Sequence, residues 1–159
     1  MIEFVMPKAV KTDVLYDVII LGAGPAGLTA AIYASRSLLK TLVIDSAPAG
    51  GLASTTEVIE NYPGFPNGVM GPQLMAAFRQ QAEKFQAEII EMIPINSVNL
   101  SGREKIVTTD LGTFRSKAII IASGRRYKEI GVKGEDEYKG KGVSYCATCD
   151  APLFRGKDV

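Results

Sequence analysis

Residues 15–34 have the sequence LYDVIILGAGPAGLTAAIYA, and this stretch determines which fold the chain can adopt. Leu15–Leu21 ends in a run of branched apolar side chains, which is typical of a strand buried on both faces of a parallel sheet. The Ala-rich segment from Pro25 to about Ser37 carries apolar residues on one side and predicts a helix. Thr41–Asp45 predicts a second parallel strand, so the three elements form a βαβ unit.

The motif Gly22-x-Gly24-x-x-Gly27 lies between the first strand and the helix, as in dinucleotide-binding folds. The first glycine permits a tight turn, the second lets the backbone approach a pyrophosphate, and the third allows helix and strand to pack closely. The helix N-terminus adds amide donors for the phosphates. Asp45 ends the second strand, where a carboxylate accepts hydrogen bonds from a ribose diol. We therefore predict a dinucleotide site, although the motif alone does not separate FAD from NAD.

Two plainer interpretations of these residues stay open at this point. A glycine-rich turn can serve packing alone. An aspartate at the end of a strand, such as Asp45, is often only a cap or a turn residue.

The rest of the chain up to residue 124 indicates an α/β fold of the Rossmann-like, three-layer kind with a parallel sheet. Residues 46–70 are rich in Pro and Gly and predict a long loop, which in a compact domain is usually functional. A helix is predicted from Pro72 onward, because apolar residues recur there at helical spacing. These residues are Leu74, Met75, Phe78, Ala82 and Phe85.

Short strands separated by turns follow the second helix and predict another strand and then a small antiparallel meander. The pieces are Glu88–Ile90 with Met92–Ile93, then Ser97–Leu100, Lys105–Thr109 and Gly112–Arg115. Ala118–Ala122 predicts a separate and fully buried strand, which ends at Ser123 and Gly124.

Composition excludes several classes of protein. The 159 residues carry 18 Lys and Arg against 17 Asp and Glu, and this near-neutral balance argues against a nucleic-acid binder. The chain has no His and two Cys, which excludes Ser-His-Asp triads and leaves too few ligands for a structural zinc site, so no metal is expected.

Residues 1–14 form an N-terminal extension without the apolar core of a signal peptide. No apolar run is long enough to span a membrane. We predict a cytoplasmic protein with neither nucleic acid nor membrane as a partner.

The two cysteines form the motif Cys146-Ala-Thr-Cys149. Two intervening residues let the sulfurs meet in one turn, so the pair can open and close by thiol exchange. One thiol of such a pair usually has a lowered pKa and attacks a partner disulfide. The alternative is two ordinary thiols beside a surface aspartate, Asp150.

Alternating charges precede these cysteines and predict a solvated linker. The charged residues are Lys128, Glu129, Lys133, Glu135, Asp136, Glu137, Lys139 and Lys141.

Five motifs occur along the chain in an order that resembles the low-molecular-weight thioredoxin reductases. They are GAGPAGLTAAIYA at residues 22–34, AGG at 49–51, TTEV at 55–58, ENYPGFP at 60–66 and GVSYCATCD at 142–150. The resemblance runs from about Tyr16 to Val159, and the last motif is the most specific.

The resemblance implies that FAD is bound by the glycine motif and by loops at the same end of the sheet. The implied residues are Gly22, Ala23, Gly24, Pro25, Ala26, Gly27, Asp45, Ser46, Gly50, Gly51, Leu52, Asn61, Ser123 and Gly124. The sequence departs from the family pattern at Leu52, where Gln is usual and would give a side-chain hydrogen bond near the flavin. Ser123 replaces a more usual Thr, and Ala151 replaces a frequent Gly.

The resemblance also implies the path of the electrons. They would pass from NADPH to FAD, then to the Cys146–Cys149 pair, and then to the disulfide of thioredoxin or a thioredoxin-like protein. Cys149 would face the flavin, Cys146 would attack the partner, and Asp150 would handle the proton. The family further implies a homodimer.

In that family the FAD domain is discontinuous, with an NADPH domain inserted into it. Residues 15–124 would be the first part of the FAD domain, and 125–159 would be a linker and the start of the redox and NADPH domain. No second glycine motif follows, so the NADPH site is not expected within this chain. We expect the chain to be the front part of a larger enzyme or one half of a split assembly, and not to be competent alone.

Two alternatives remain open from the sequence. A flavin disulfide reductase fed by ferredoxin, or one that reduces a peroxiredoxin, would share this front half. The chain could also be a truncated, non-catalytic FAD-binding fragment with idle cysteines.

Overall fold

A computed structural model describes residues 12–139, 141–147 and 154–158 of the chain. The chain divides into two compact units, residues 1–124 and 125–159. The strands of the first unit are β1 Leu15–Leu21, β2 Thr41–Ile44, β3 Val58–Ile59, β4 Val69–Met70, β5 Glu88–Ile90, β6 Ile95–Asn99, β7 Lys105–Thr109 and β8 Gly112–Ile121. Its helices are α1 Pro25–Arg36 and α2 Gly71–Lys84, and the second unit contains the short helix α3 Glu135–Tyr138. Among the described residues, no helix is both long and apolar enough to cross a membrane.

The main sheet has six strands in the order β5-β2-β1-β8-β7-β6. The first four run parallel, and β7 and β6 continue the sheet as an antiparallel extension of β8. In the register of β1, Ile20 lies opposite Val43 of β2 and Ile120 of β8. The α/β class with a mostly parallel sheet and a small antiparallel meander is therefore confirmed.

Both faces of β1 are buried, as its apolar run predicts. Val18 and Ile20 face a cluster with Leu28 of α1 and Ala82 of α2. The opposite face of β1 carries a second cluster, whose buried members are Tyr16, Ile19, Leu21, Leu42, Ile44, Ile90, Val107 and Phe114. Burial of each large apolar side chain contributes about 1.5–3 kcal/mol, so these two clusters are the main source of stability in this unit.

The end of the sheet differs from the prediction in two ways. Gly112–Arg115 and Ala118–Ala122 are expected as separate strands, but Gly112–Ile121 forms the single strand β8, and Ala122 follows its end. The expectation that Ala118–Ala122 is fully buried is wrong, because Ile120 is 39% and Ile121 64% exposed. The reason is the register: the described pairing of β7 with β8 ends at Ser116, so beyond it β8 pairs with β1 alone.

The stretch 46–70, expected as a loop, contains local structure. A 3-10 turn at Gly51–Thr55 and the two-stranded ladder β3-β4 lie within it. The start of α2 packs against this turn, since a Cβ atom at Gly71 would lie 2.0 Å from the carbonyl oxygen of Ala53. Met92 and Ile93, expected in a strand, lie outside β5.

Replacing Gly27 by Ala should destabilise the fold, because the new Cβ would lie 1.8 Å from the carbonyl oxygen of Gly22. We expect a loss of about 1–3 kcal/mol in the free energy of unfolding, measured by urea denaturation. Gly24→Ala is the matched control, since its Cβ would meet nothing closer than 3.9 Å and its φ is −75°. Equal stability of the two variants would contradict the close packing of α1 on β1.

Candidate functional site

The carboxyl ends of β1, β2 and β8 meet at one edge of the sheet. Gly22 follows β1 with φ +108°, and a Cβ atom there would lie 2.3 Å from the carbonyl oxygen of Ala122 and 3.2 Å from the Cα of Ser123. The predicted site residues Gly22 and Ser123 are therefore neighbours, although they are far apart in sequence. The chain continues from β1 to β2 and β5 on one side, whereas β8 lies on the other side, so the strand order reverses at β1. Ligands bind at such a point in open α/β sheets.

The glycine motif forms the entry to α1. Gly24 is the N-cap residue, and the helix end has no side-chain cap. Pro25 occupies the first turn, where its missing N–H costs nothing. Amide groups in the first turn of a helix have no partner within the helix and attract anions. The turn therefore offers backbone donors to a phosphate group.

Asp45 connects this turn to the loop after β2. One carboxylate oxygen accepts the N–H of Ala23 at 2.6 Å, and the other accepts the N–H of Ala47 at 2.9 Å. A carboxylate oxygen has a second lone pair, so these bonds leave acceptor capacity for a ribose hydroxyl. The capping role and the ribose-binding role of Asp45 are thus chemically compatible.

A diglycine loop lies directly against the glycine motif. The N–H of Gly50 donates to the carbonyl oxygen of Ala23 at 2.8 Å. A Cβ atom on Gly51, whose φ is +56°, would lie 3.2 Å from the Cα of Gly24. We call the facing backbones of Ala23–Gly24 and Gly50–Gly51 the glycine cradle. Its two facing glycines and the helix amides fit a pyrophosphate, because glycine lets a ligand approach the backbone closely and a Cβ on Gly51 would press on Gly24.

Other predicted cofactor residues lie on the surrounding loops. Leu52 is in the 3-10 turn and is 37% exposed, and Ser46, Asn61 and Gly124 are exposed. Their proposed contacts with a flavin remain predictions.

The second unit carries the cysteine motif for which a redox role is predicted. Cys146 is disulfide-bonded, and its N–H donates to the hydroxyl of Ser144 at 3.2 Å. Cys149 and Asp150 lie outside the described residues, so the roles given to them remain predictions.

Glu135 corrects the prediction that the charges before the cysteines form a solvated linker. It is 5% exposed and begins α3. Its carboxylate accepts the N–H of Ile130 at 2.8 Å and that of Gly131 at 2.6 Å, and it also accepts the hydroxyl of Tyr145. The charge pattern alone does not predict these hydrogen bonds, because the Glu135 carboxylate meets the backbone amides only when the turn at residues 130–132 forms.

Tyr145 is anchored by several groups at once and directly precedes Cys146. Its ring stacks on Tyr127 with centroids 5.2 Å apart, and the ammonium of Lys139 lies 5.3 Å from the ring centre. The hydrogen bond to Glu135 raises the pKa of Tyr145 to about 12. The same hydroxyl, helped by the backbone amides, lowers the pKa of Glu135. The segment that leads into the disulfide is therefore held by defined contacts.

Known proteins match this chain over most of its length. The family model described as pyridine nucleotide-disulphide oxidoreductase matches residues 16–158. A thioredoxin reductase from Streptomyces coelicolor is 48% identical over 145 residues, which are 90% of this chain and 45% of that protein. The crystal structure of a thioredoxin reductase from Streptococcus pyogenes is similar with a TM-score of 0.80 and 41% identity, covering 88% of this chain and 45% of that one.

A ferredoxin-flavin thioredoxin reductase from Clostridium acetobutylicum is also similar. Its TM-score is 0.63 at 33% identity, covering 87% of this chain and 48% of that one. The chain thus spans about half the length of the proteins it matches.

Lowering the pH should release the turn at residues 130–132 from Glu135. A carboxyl whose pKa is lowered in the folded state stabilises that state above its unfolded pKa, and the effect is lost as the pH falls through the folded pKa. The pKa of Glu135 lies below its ordinary 4.5, with the Tyr145 hydroxyl as the main cause. Tyr145→Phe should therefore raise it toward 4.5, as measured by carbon-13 NMR of the Glu135 carboxyl.

Tyr138→Phe is the matched control, because the Tyr138 side chain is 54% exposed. It should leave the titration of Glu135 unchanged. A pKa of Glu135 that is the same in the Tyr145→Phe variant would show that the hydroxyl does not stabilise the carboxylate.

Proposed function

The chain belongs to the pyridine nucleotide-disulphide oxidoreductase family, and from this premise we propose that the protein reduces the disulfide of thioredoxin with a bound flavin. The observation that carries the proposal is the glycine cradle, in which Gly24 and Gly51 face each other at the N-terminus of α1. A backbone cradle of this kind accepts a dinucleotide pyrophosphate. The disulfide-bonded Cys146 in the second unit supplies the redox group.

FAD and NADPH are the cofactors of this family. The backbone amides of Gly24 and Gly51 would hold the pyrophosphate of FAD, and Asp45 would accept from the ribose. Gly22 and Gly50 would shape the two turns, since their own N–H groups donate to Ile44 and Ala23. When bound, the flavin supplies a two-electron carrier between a donor and a disulfide. The described residues do not assign a site for the nicotinamide, so the donor is the part of the proposal that an experiment must decide.

The cysteine pair would perform thiol–disulfide exchange on the partner. The thiolate of reduced Cys146 attacks one sulfur of the partner disulfide, so the partner S–S bond breaks and a mixed disulfide forms. Cys149 then attacks the sulfur of Cys146 and releases the second partner thiol. Two electrons and the two thiol protons pass to the partner, and the Cys146–Cys149 disulfide is restored. Asp150 would handle the proton when the flavin and the cysteine pair exchange electrons.

The second candidate is an enzyme that receives its electrons from ferredoxin. The observation in its favour is the similarity to the ferredoxin-flavin thioredoxin reductase from Clostridium acetobutylicum. Both candidates use the same front half and the same cysteine chemistry. They differ only in the group that delivers electrons to the flavin.

An anaerobic titration separates the two candidates. The protein is loaded with FAD and titrated with NADPH and, separately, with reduced ferredoxin, while the flavin absorbance is followed. Bleaching by NADPH supports the first candidate, and bleaching by ferredoxin alone supports the second. Flavin that is bound but stays oxidised with both donors contradicts both candidates for this chain on its own.

The Cys149→Ser variant should trap thioredoxin as a mixed disulfide, because Cys146 attacks and no second thiol resolves the adduct. The reduced variant is incubated with oxidised thioredoxin, and the adduct is detected by non-reducing gel and by mass. Cys146→Ser is the matched control and should give little adduct. Trapping by Cys146→Ser instead would reverse the two assignments, and trapping by neither would contradict the exchange step.

A further inference from the structure

Glu91 links three elements around the diglycine loop, although nothing in the sequence marks it as a site residue. It directly follows β5 and sits beside the loop that follows β2. One carboxylate oxygen accepts from the guanidinium of Arg79 at 2.6 Å. The other accepts the backbone N–H of Ala49 at 2.7 Å. A single carboxylate thus connects α2 to the residue immediately before Gly50.

Arg79 is held from both sides. Its Nε donates to Glu83, one turn further along α2, at 3.0 Å, while its terminal nitrogen reaches Glu91. Burial would raise the pKa of Glu91, but the Ala49 amide and the Arg79 guanidinium outweigh it and keep the pKa below its ordinary value. Glu91 therefore stays ionised and keeps accepting from the loop at neutral pH.

The loop needs external contacts to hold its shape. Gly50 and Gly51 have φ values of +121° and +56°, and glycine populates such angles without preferring one of them. The described contacts that fix them are the Gly50 N–H to the Ala23 carbonyl at 2.8 Å and the Ser54 hydroxyl to the Gly51 carbonyl at 2.7 Å. The Glu91 contact at Ala49 fixes the chain just upstream.

We propose that the Arg79–Glu91 pair positions the diglycine loop against the glycine motif and so preorganises the glycine cradle for its ligand. The contacts form one continuous line, from Arg79 through Glu91 and Ala49 to Gly50 and the carbonyl of Ala23. Arg79 and Glu91 are positioning residues, since neither belongs to the cradle. The ligand in this inference is FAD, and to that extent it rests on the proposed function.

An ordinary surface ion pair is the competing explanation. Exposed pairs contribute little to stability, and the side chains of Arg79 and Glu91 are 37% and 27% exposed. The bond to Ala49 distinguishes this pair, because it ties the carboxylate to the backbone of the residue directly before the two glycines.

Amide hydrogen exchange measured by NMR on the protein without ligand tests the proposal. Arg79→Met and Glu91→Met should each speed exchange of the Gly50 amide about fivefold or more, because its bond to Ala23 is then less often formed. Glu83→Met is the matched control, since it removes only the helix-surface partner of Arg79. The Ala122 amide, bonded to Leu21 at 2.8 Å, reports on the integrity of the sheet.

The dissociation constant for FAD, measured by flavin fluorescence, should rise about threefold to tenfold in Arg79→Met and Glu91→Met and stay unchanged in Glu83→Met. If the Gly50 amide exchanges at the wild-type rate in Glu91→Met, or if all three variants accelerate it equally, the proposal is overturned. If FAD binds to none of the proteins, the proposed function fails, while the exchange of Gly50 still decides the positioning role. If a variant also speeds exchange of the Ala122 amide, its sheet is disturbed, and Glu91→Gln, which keeps the shape of the side chain, is measured instead. Exchange of the Gly50 amide at the wild-type rate in Glu91→Gln then overturns the proposal, and faster exchange supports it.

Discussion

The rest of the first unit depends on the absence of side chains where α1 meets the ends of β1 and β8. A Cβ at Gly27 would lie 1.8 Å from the Gly22 oxygen, and one at Gly22 would lie 2.3 Å from the Ala122 oxygen. Three backbone segments therefore pack at a distance that only glycine allows. This close packing brings the first turn of the helix to the edge of the sheet at which β1 and β8 end.

Carboxylates at the ends of neighbouring strands then order the loops around that crevice. Asp45 follows β2 and accepts the amides of Ala23 and Ala47, and Glu91 follows β5 and accepts the amide of Ala49. Since β2 and β5 are parallel neighbours, both side chains emerge at the same edge of the sheet. The amides of Ala23, Ala47 and Ala49 are thus paired with side-chain carboxylates, which fixes the loops on either side of the glycine cradle.

The sequence predicted what periodicity and steric demand determine locally. The βαβ unit and the face of α2 follow from apolar spacing, and the glycine motif follows from its place between strand and helix.

Contacts between distant residues could not be predicted in the same way. Glu135 was expected in solvent but is buried, because its acceptor role exists only once the turn at residues 130–132 has formed. Nothing in the sequence marks Glu91 as a partner of the diglycine loop, since a single carboxylate after a strand can make many different contacts. The exposed Ile121 follows from where β7 stops pairing, which is a property of register rather than composition.

The uneven end of β8 also bears on how the protein behaves in concentrated solution. From Lys117 to Ile121 this strand has a described neighbour on one side only, and its last two residues are exposed isoleucines. An open apolar edge is a template for strand addition from another molecule, the route by which β-sheet proteins aggregate. The solubility of the chain will therefore depend on whether this edge is covered, and not only on the stability of the two buried clusters.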